Sequence, residues 1–320
     1  MSLTSNAKSI PPPILALVGP TASGKTAVAL SLAKSLRCEI ISADSRQVYK
    51  HLDIGTAKPT PAELESVPHH FINLIEPTEE YSAGQFGRDA RRTIDDIRAR
   101  SRIPFLVGGS GLYLKAVIDG LADMPEAKEE IRSELEKEYK RFGLGHLVDE
   151  LRSVDEKSLL AMKEINARRV LRALEVYRMT GIPLSHLHEK QKGTPSLDVL
   201  QVGLRWNRTQ LYRRIDERVD AMVKNGLIEE CKQLVDQGFD RRLNALNTVG
   251  YKEVFEFLDS RLSREAMIET IKRDSRRFAK RQMTWFRADK RIHWIDVDES
   301  MNVSDIAAKV EEFIKEDRVR

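Results

Sequence analysis

Eight consecutive residues near the N-terminus have the composition of a phosphate-binding loop. They fit the pattern G-x-x-x-x-G-K-[ST] and are, in order, Gly19, Pro20, Thr21, Ala22, Ser23, Gly24, Lys25 and Thr26. Glycines allow the backbone to wrap closely around a phosphate, and successive amides form an anion-binding nest. Lys25 would hold the outer phosphate oxygens, and the Thr26 hydroxyl would bind a neutralising Mg²⁺. The segment therefore predicts a site for a di- or triphosphate.

Two further polar segments each follow a short apolar run. Asp44 comes directly after the run 38–43, and the glycine-rich segment 108–111 follows the run 103–107. Open α/β sheets bind ligands at the carboxyl ends of their strands, so we expect both segments beside the phosphate loop. By position alone, Asp44 is either a magnesium ligand or part of a richer polar site. The segment 108–111 is either a ligand-binding turn or only a tight strand-to-helix turn.

The elements that position these segments alternate between strand and helix. We predict strands over 14–18, 38–43, 103–107, 197–204 and 291–297, and helices over 24–36, 81–100 and 304–315. Strands that alternate with helices form right-handed crossovers, which place helices on both faces of a mostly parallel sheet. The fold class predicted is α/β, with a sheet like that of P-loop NTPases.

The charged sequence from 121 to about 190 has helical periodicity and contains no strand pattern. It predicts an all-helical insertion in the sheet domain. The predicted division is a flexible tail over 1–13, a catalytic domain over 14–120 and 195–320, and the insertion over 121–194.

Composition excludes several classes of protein. Of the 320 residues, 41% are hydrophobic and 32% charged, which is typical of a folded domain rather than a disordered chain. No apolar run approaches the roughly 18 residues of a membrane helix, and the N-terminal residues lack a secretory-signal pattern, so we expect a cytoplasmic protein. The distant Cys38 and Cys231 predict buried thiols rather than a disulfide or a zinc site. A net charge of +4 permits an anionic partner but does not identify nucleic acid.

Nine ordered motifs resemble those of the tRNA dimethylallyltransferase (isopentenyltransferase) family over nearly the whole chain. They are GPTASGKT at 19–26, DSRQVY at 44–49, DIGTAKP at 53–59, YSAGQF at 81–86, GGSGLYLKA at 108–116, NARRVLRALEVY at 166–177, RIDERVD at 214–220, VGYKE at 249–253 and KRQMTWFR at 280–287. Ser110 stands where the family commonly has Thr, which keeps the hydroxyl. We expect a member of the bacterial type, because no zinc-finger pattern follows the last motif.

The resemblance implies that the phosphate loop binds dimethylallyl diphosphate rather than ATP, with Mg²⁺ as cofactor. The dimethylallyl group would pass to the exocyclic amine (N6) of the adenosine 3′ of the tRNA anticodon, and pyrophosphate would leave. Asp44 then becomes the general base instead of a metal ligand, while Thr21 and Lys25 stabilise the leaving oxygen. The family also suggests an arginine from the RIDERVD helix. We favour Arg218 over Arg214, four residues away on the same face, and the alternative is a surface ion pair of Arg218 with Asp216 or Glu217.

The resemblance further implies contacts with the tRNA anticodon loop, and it makes the helical insertion a tRNA-binding domain. The residues are Asp44, Ser45, Arg46 and Gln47; Ser110 and Arg132; Arg168, Arg169, Val170, Leu171 and Arg172; Asn247, Thr248, Val249, Gly250, Tyr251 and Lys252; and Lys280, Arg281, Gln282 and Arg287.

The last of these groups belongs to a basic helix. Arg273, Arg276 and Arg277 continue it, and helical spacing predicts that Ile271, Phe278 and Trp285 face the core. The alternative for such a run of charges is a solvated face without a partner.

Two other functions fit the first half of the chain. A small-molecule kinase would use the loop for ATP, Asp44 for the acceptor hydroxyl and the insertion as a lid. A P-loop switch or RNA-binding module would leave Asp44 and Thr21 without a chemical role. Neither accounts for the motifs of the C-terminal half as well as the prenyltransferase does, and for that enzyme we expect a monomer.

Overall fold

The computed structural model describes residues 12–121, 128–190 and 195–317. The chain divides into two compact units, one formed by the residues up to Ile118 together with those from Leu197 onwards, and one formed by residues 119–196. The insertion predicted over 121–194 differs from the second unit by two residues at each end. Of the tail predicted over 1–13, only Pro12 and Pro13 lie within the described residues.

The first unit contains a six-stranded sheet whose neighbouring strands are all parallel. The strands are β1 (Ile14–Val18), β2 (Cys38–Ala43), β3 (His69–His70), β4 (Ile103–Gly108), β5 (Val199–Trp206) and β6 (His293–Val297), in the spatial order β3-β2-β4-β1-β5-β6. The predicted α/β fold with a parallel sheet is confirmed.

Helices connect the strands and form the second unit. They are α1 (Lys25–Leu36), α2 (Pro61–Ser66), α3 (Ala83–Ala99), α4 (Gly111–Ile118), α5 (Glu129–Leu160), α6 (Ala167–Thr180), α7 (Leu184–Lys190), α8 (Arg208–Lys224), α9 (Leu227–Asp236), α10 (Tyr251–Leu258), α11 (Arg264–Arg287) and α12 (Val303–Asp317). Within the described residues, no helix is both long and apolar enough to cross a membrane.

The sheet is buried on both faces. In β1, Ile14, Ala16 and Val18 pack in one core with residues of α3, α4 and α10, whereas Leu15 and Leu17 pack in the other with residues of α1 and α12. Burial on both faces explains why this strand is continuously apolar instead of alternating. Cys38 and Cys231 are both buried, as predicted.

Local sequence signals fix several element boundaries. The Ser82 side chain accepts a hydrogen bond from the Gln85 amide (3.1 Å), so α3 begins where its capping residue predicts. The strand predicted from 197 begins only at Val199, because the Leu197 amide donates to the Ile118 carbonyl (2.8 Å) at the junction of the two units. The last strand begins at His293 rather than 291. Strand β3 was not predicted, since two residues carry no periodic pattern.

The second unit has its own apolar core, which includes Leu135, Leu147, Leu151 and Leu174. Helix α5 is kinked, with non-helical backbone at Gly143 and Asp155. All regular secondary structure in the described residues of the second unit is helical, as expected. The Asp155 carboxylate accepts hydrogen bonds from the amides of Ser158 and Ser185 (3.0 Å each), which satisfies backbone donors at the kink and at α7.

Candidate active site

Three predicted polar segments lie at the carboxyl ends of adjacent strands. The phosphate loop follows β1, Asp44 follows β2, and Ser110 follows β4, which lies between those two strands. The Ser110 amide donates to the Ala43 carbonyl (3.2 Å), and its hydroxyl accepts from the Ser45 amide (3.0 Å). The second glycine-rich turn is thus bonded directly to the segment that carries Asp44.

Glycine is required where these segments meet. A Cβ on Gly108 would lie 2.1 Å from the Ala43 carbonyl oxygen, and one on Gly109 would lie 2.4 Å from Gln282 Nε2. Real Cβ atoms do not approach other atoms so closely. The glycines therefore permit the close approach of backbone to backbone and of backbone to α11.

Side chains of β5 and α8 are hydrogen-bonded to the backbone of the phosphate loop. Gly24 and Ala22 have left-handed backbone, with φ of 88° and 62°. The indole Nε1 of Trp206 donates to the Ser23 carbonyl (2.9 Å), and Nε of Arg214 donates to the Ala22 carbonyl (3.0 Å). These bonds turn loop carbonyls towards the protein, which fits a loop whose amides face an anion.

Lys25, Arg218 and Asp44 interact electrostatically at this loop. Burial and the positive charge of Arg218 lower the pKa of Lys25 to about 7, while Asp44 acts in the opposite direction. Burial also lowers the pKa of Arg218, again against the effect of Asp44. Two cations that share a poorly solvated space with one carboxylate form a site that a multiply charged anion would stabilise.

The alternative proposed for Arg218, an ion pair with Asp216 or Glu217, is wrong. Asp216 pairs with Arg276 (2.5 Å), and Glu217 lies 3.8 Å from Arg213. Arg214 has a different environment, because its guanidinium stacks on the Trp206 ring (4.3 Å) as well as bonding to the loop. Arg214 supports the loop, and Arg218 adds charge beside Lys25.

The segment after β2 is ordered by its own side chains. Asp44 Oδ1 accepts from the Arg46 amide (2.9 Å), which orients the carboxylate, and Arg46 Nη1 donates to the Asn244 carbonyl (2.6 Å). Gln47 accepts from the Ser42 hydroxyl (3.0 Å) and donates to the carbonyls of Thr56 and Ala57 (3.3 and 3.2 Å). The Gln47 side chain therefore supports this loop, and its contact with tRNA stays a prediction.

Gln282 requires correction. Its side chain is buried, with 7% exposed, and both ends of the amide are used. Oε1 accepts from the Thr21 amide (2.8 Å), and Nε2 donates to the Gly109 carbonyl (3.0 Å). Gln282 therefore bridges the phosphate loop and the second glycine-rich turn instead of facing RNA.

The predicted inward face of α11 is partly wrong. Ile271 is buried, but Phe278 and Trp285 are 39% and 47% exposed. The buried positions are Met267, Ile271, Ala279, Gln282 and Phe286. A seven-residue repeat drifts by about 20° per heptad on a helix, which moves 278 and 285 to the edge of the buried face. Trp285 packs against Gly111, where a Cβ would lie 2.2 Å from its ring.

Other predicted tRNA residues of the first unit differ in exposure. Lys280, Arg281 and Arg287 are exposed on α11, as are Asn247 and Lys252 before and in α10, whereas Thr248 and Val249 are half-buried. Tyr251 is fully buried, and its hydroxyl donates to Glu230 (2.6 Å). Its side chain cannot contact RNA, and Gly250 acts as the N-cap of α10 with φ of 102°.

The second unit exposes Arg168 and Arg169 in the first turn of α6, after the N-cap Asn166. A helix N-terminus already carries partial positive charge, so arginines there do not stabilise the helix and instead suit an anionic partner. Arg132 is exposed near Glu136 (4.0 Å), and Arg172 pairs with Glu175 (2.9 Å).

The predicted tRNA contacts of Val170 and Leu171, next to these arginines, are wrong for the side chains. Val170 is fully buried and Leu171 packs against the core of the unit, so these side chains stabilise the unit rather than contact RNA.

Glu230 and Trp206 were not predicted as site residues. The Glu230 carboxylate accepts from the amides of Asp53 (3.0 Å), Ile54 (2.7 Å) and Gly55 (3.1 Å), in addition to the Tyr251 hydroxyl. It joins the loop after β2 to α10. The only sequence signal was a pair of separated motifs, DIGTAKP and VGYKE, and neither contains the glutamate.

The donors near the loop fit Mg²⁺ bound together with a diphosphate. The described residues contain no cluster of three or more His, Cys, Asp or Glu side chains that could hold a metal alone. Thr26, half-buried in the first turn of α1, offers a hydroxyl beside the phosphate site. Mg²⁺ commonly binds through few protein ligands, substrate phosphates and water, so this set suits it.

Comparisons with known proteins identify the family of the chain. The model of the IPP transferase family matches residues 47–289, and that of the isopentenyl transferases matches residues 12–78. The tRNA dimethylallyltransferase of Carboxydothermus hydrogenoformans is 45% identical over 285 residues, covering 88% of this chain and 91% of the relative. That of Halalkalibacterium halodurans is 44% identical over 312 residues, covering 94% and 99%.

Solved structures show the same similarity. The full-length tRNA isopentenylpyrophosphate transferase from Bacillus halodurans matches with a TM-score of 0.68 and 42% identity over 95% of this chain and 97% of that one. A eukaryotic dimethylallyltransferase acting on tRNA matches with a TM-score of 0.79 and 28% identity, over 95% and 80%. The family model covers more than half of the chain and the relatives cover nearly all of it, so the chain belongs to the IPP transferase family.

Proposed function

We propose that the protein transfers the dimethylallyl group of dimethylallyl diphosphate to N6 of the adenosine 3′ of the anticodon in tRNA and releases pyrophosphate. Membership of the family and the names of its relatives support the reaction class, a prenyl transfer to tRNA. The observation that carries the proposal is the position of the phosphate loop, Asp44 and Ser110 at the carboxyl ends of three adjacent strands. The electrostatic effects of Arg218 and Asp44 on Lys25 support it.

Departure of pyrophosphate is the first requirement. The allylic C–O bond breaks, and its electron pair leaves as negative charge on the pyrophosphate oxygen. Donors aimed at that oxygen stabilise the transition state more than the ground state. The loop amides, Lys25 and Arg218 supply the N–H donors and positive charge that stabilise this oxygen. Thr21, which is part of the same loop, would contact the leaving oxygen.

Removal of a proton is the second requirement. The adenine amine is a poor nucleophile, because its lone pair is delocalised into the ring. It attacks the allylic carbon effectively only when one N–H proton leaves as the C–N bond forms. The Asp44 carboxylate, oriented by the Arg46 amide, takes that proton.

Mg²⁺ would be held by the Thr26 hydroxyl and the diphosphate oxygens, and when bound it neutralises charge on the leaving group.

Recognition of tRNA must offset the few kcal/mol that flipping an adenosine out of its stack costs. The exposed basic residues suit phosphate contacts. In the first unit they are Arg281, Lys280, Arg287 and Lys252, and in the second unit Arg132, Arg168 and Arg169. Asp44, Ser45, Arg46 and Ser110 lie where the flipped base would enter. We further propose that the protein acts as a monomer in the cytoplasm.

The test is incubation with Mg²⁺, dimethylallyl diphosphate and unmodified tRNA, followed by mass spectrometry of the nucleosides. We expect prenylated adenosine from the wild type and a loss of about 10² to 10⁴ in rate for Asp44→Asn. Asp236→Asn, at an exposed carboxylate, serves as the matched control. Phosphoryl transfer from ATP to a small molecule without prenylation would instead establish the kinase.

A further inference from the structure

Gln282 connects two backbone segments that are far apart in the sequence. Its Oε1 accepts from the Thr21 amide (2.8 Å), and its Nε2 donates to the Gly109 carbonyl (3.0 Å). The side chain is buried, so water cannot replace either bond readily. Only a carboxamide of this length offers one acceptor and one donor at its tip.

The two bonded segments carry different parts of the proposed chemistry. Thr21 belongs to the loop that binds the diphosphate. Gly109 precedes Ser110, which is bonded to the Ala43 carbonyl and to Ser45 on either side of Asp44. A Cβ on Gly109 would also lie 3.4 Å from the Gly19 carbonyl oxygen, so the two segments are close neighbours. Gln282 therefore holds the phosphate loop next to the segment that carries Asp44.

Helix α11 carries both Gln282 and cations that are expected to bind tRNA. Lys280 and Arg281 precede Gln282 immediately and are exposed, whereas Gln282 itself is buried against the site. One face of the helix is thus exposed to solvent and carries the cations expected to bind tRNA. The other face is hydrogen-bonded to the backbone of Thr21 and Gly109.

We propose that Gln282 is a positioning residue. It fixes the position of the phosphate loop relative to the segment that carries Asp44, and it contacts neither substrate. The inference rests on the proposed function for its kinetic readout. Its claim about the diphosphate loop is measured separately by binding.

The test compares Gln282→Met, which keeps the length but removes both hydrogen bonds, with Thr284→Ala, an exposed change on the same helix. Loss of two buried hydrogen bonds should lower kcat roughly 10- to 100-fold and weaken binding of inorganic pyrophosphate with Mg²⁺. Affinity for tRNA, measured by filter binding, should stay within about twofold of wild type. Thr284→Ala should change none of the three.

Gln282→Glu is the second variant. It keeps an acceptor for the Thr21 amide but places a carboxylate oxygen against the Gly109 carbonyl, so kcat should fall at least as far as in Gln282→Met. Arg281→Ala gives the contrasting pattern expected of an RNA contact, namely weaker tRNA binding with pyrophosphate binding intact.

A double-mutant cycle gives a readout that a merely structural residue would not move. Gly109→Ala should strongly lower pyrophosphate binding while Gln282 is present, because the new Cβ would meet Nε2. In a Gln282→Ala background, the added effect of Gly109→Ala should largely disappear.

Three results would overturn the proposal: tRNA affinity that falls tenfold in Gln282→Met while pyrophosphate binding is intact, unchanged kinetics in both Gln282 variants, or additive effects in the cycle. If the wild type makes no prenylated adenosine, the proposed function fails, and the pyrophosphate measurements still decide whether Gln282 positions the loop.

Discussion

Burial and the nearby guanidinium of Arg218 together lower the pKa of Lys25 to about 7. We therefore expect Lys25 in the free protein to be protonated below that pH and largely neutral above it. A bound diphosphate favours the charged form and raises this pKa again. The two cations are thus arranged so that ligand binding is linked to proton uptake.

The first prediction concerns that uptake. At pH 8, binding of pyrophosphate without Mg²⁺ should take up about one proton more in the wild type than in Lys25→Arg, whose guanidinium stays charged. At pH 6 the difference should vanish, because Lys25 is then already protonated. Calorimetry in two buffers of different ionisation enthalpy measures it, and the comparison cancels protons taken up by pyrophosphate itself. Equal uptake by both proteins at pH 8 would contradict the assigned pKa.

Substitutions of Arg214 and Arg218, which both lie on α8, should have different effects. Arg218→Gln removes a charge beside Lys25, and we expect a loss of about 10² to 10³ in kcat. Arg214→Gln removes the stacking on Trp206 and the bond to the Ala22 carbonyl, so its main effects should be a lower melting temperature and weaker pyrophosphate binding. Steady-state kinetics and thermal unfolding distinguish them. Equal losses of kcat would show that both arginines stabilise the leaving group.

Glu230 should be necessary for stability and for tRNA affinity. Glu230→Gln leaves a neutral amide where a buried carboxylate accepts from three backbone amides, and we expect a loss of about 1–3 kcal/mol in the free energy of unfolding. Because Glu230 joins the loop after β2 to α10, tRNA binding should weaken as well. Glu229→Gln, at the exposed neighbouring position, is the control, and urea unfolding with filter binding measures both effects. A Glu230 variant as stable as the control would rule out this role.

The exposed arginines of α6 should act through phosphates. Arg168→Ala with Arg169→Ala should weaken tRNA binding and reduce the slope of log affinity against log salt by about 0.7 for each phosphate that the protein no longer neutralises. Arg152→Ala, which removes an exposed cation paired with Asp149 on α5, should leave both quantities unchanged. Titrations over a range of salt concentrations measure the slope, and an unchanged slope would place tRNA elsewhere.

Local signals were enough to predict the main strands and the loop. Strands 14–18 and 38–43 are apolar runs bounded by a glycine or an aspartate, and the structure has them at those residues. The P-loop pattern likewise requires only adjacent residues. Strand β3 could not be predicted, because its two residues form a strand only through pairing with β2.

The roles of individual side chains were less predictable when the partner is distant. Gln282 lies within a basic motif, and its bond to Thr21 joins residues 261 positions apart. Val170 follows two arginines and Tyr251 precedes a lysine in their motifs, and only tertiary packing shows that both are buried. A motif marks a segment that matters, but the direction of each side chain depends on the elements packed against it.

The hydrogen bond between the Leu197 amide and the Ile118 carbonyl (2.8 Å) has a consequence for the path of the chain. The points where the chain leaves the sheet unit and returns to it are neighbours, so the sheet unit is closed at its own boundary. The chain can therefore leave and rejoin the sheet unit at this bond without altering β4 or β5, the strands that precede and follow the excursion.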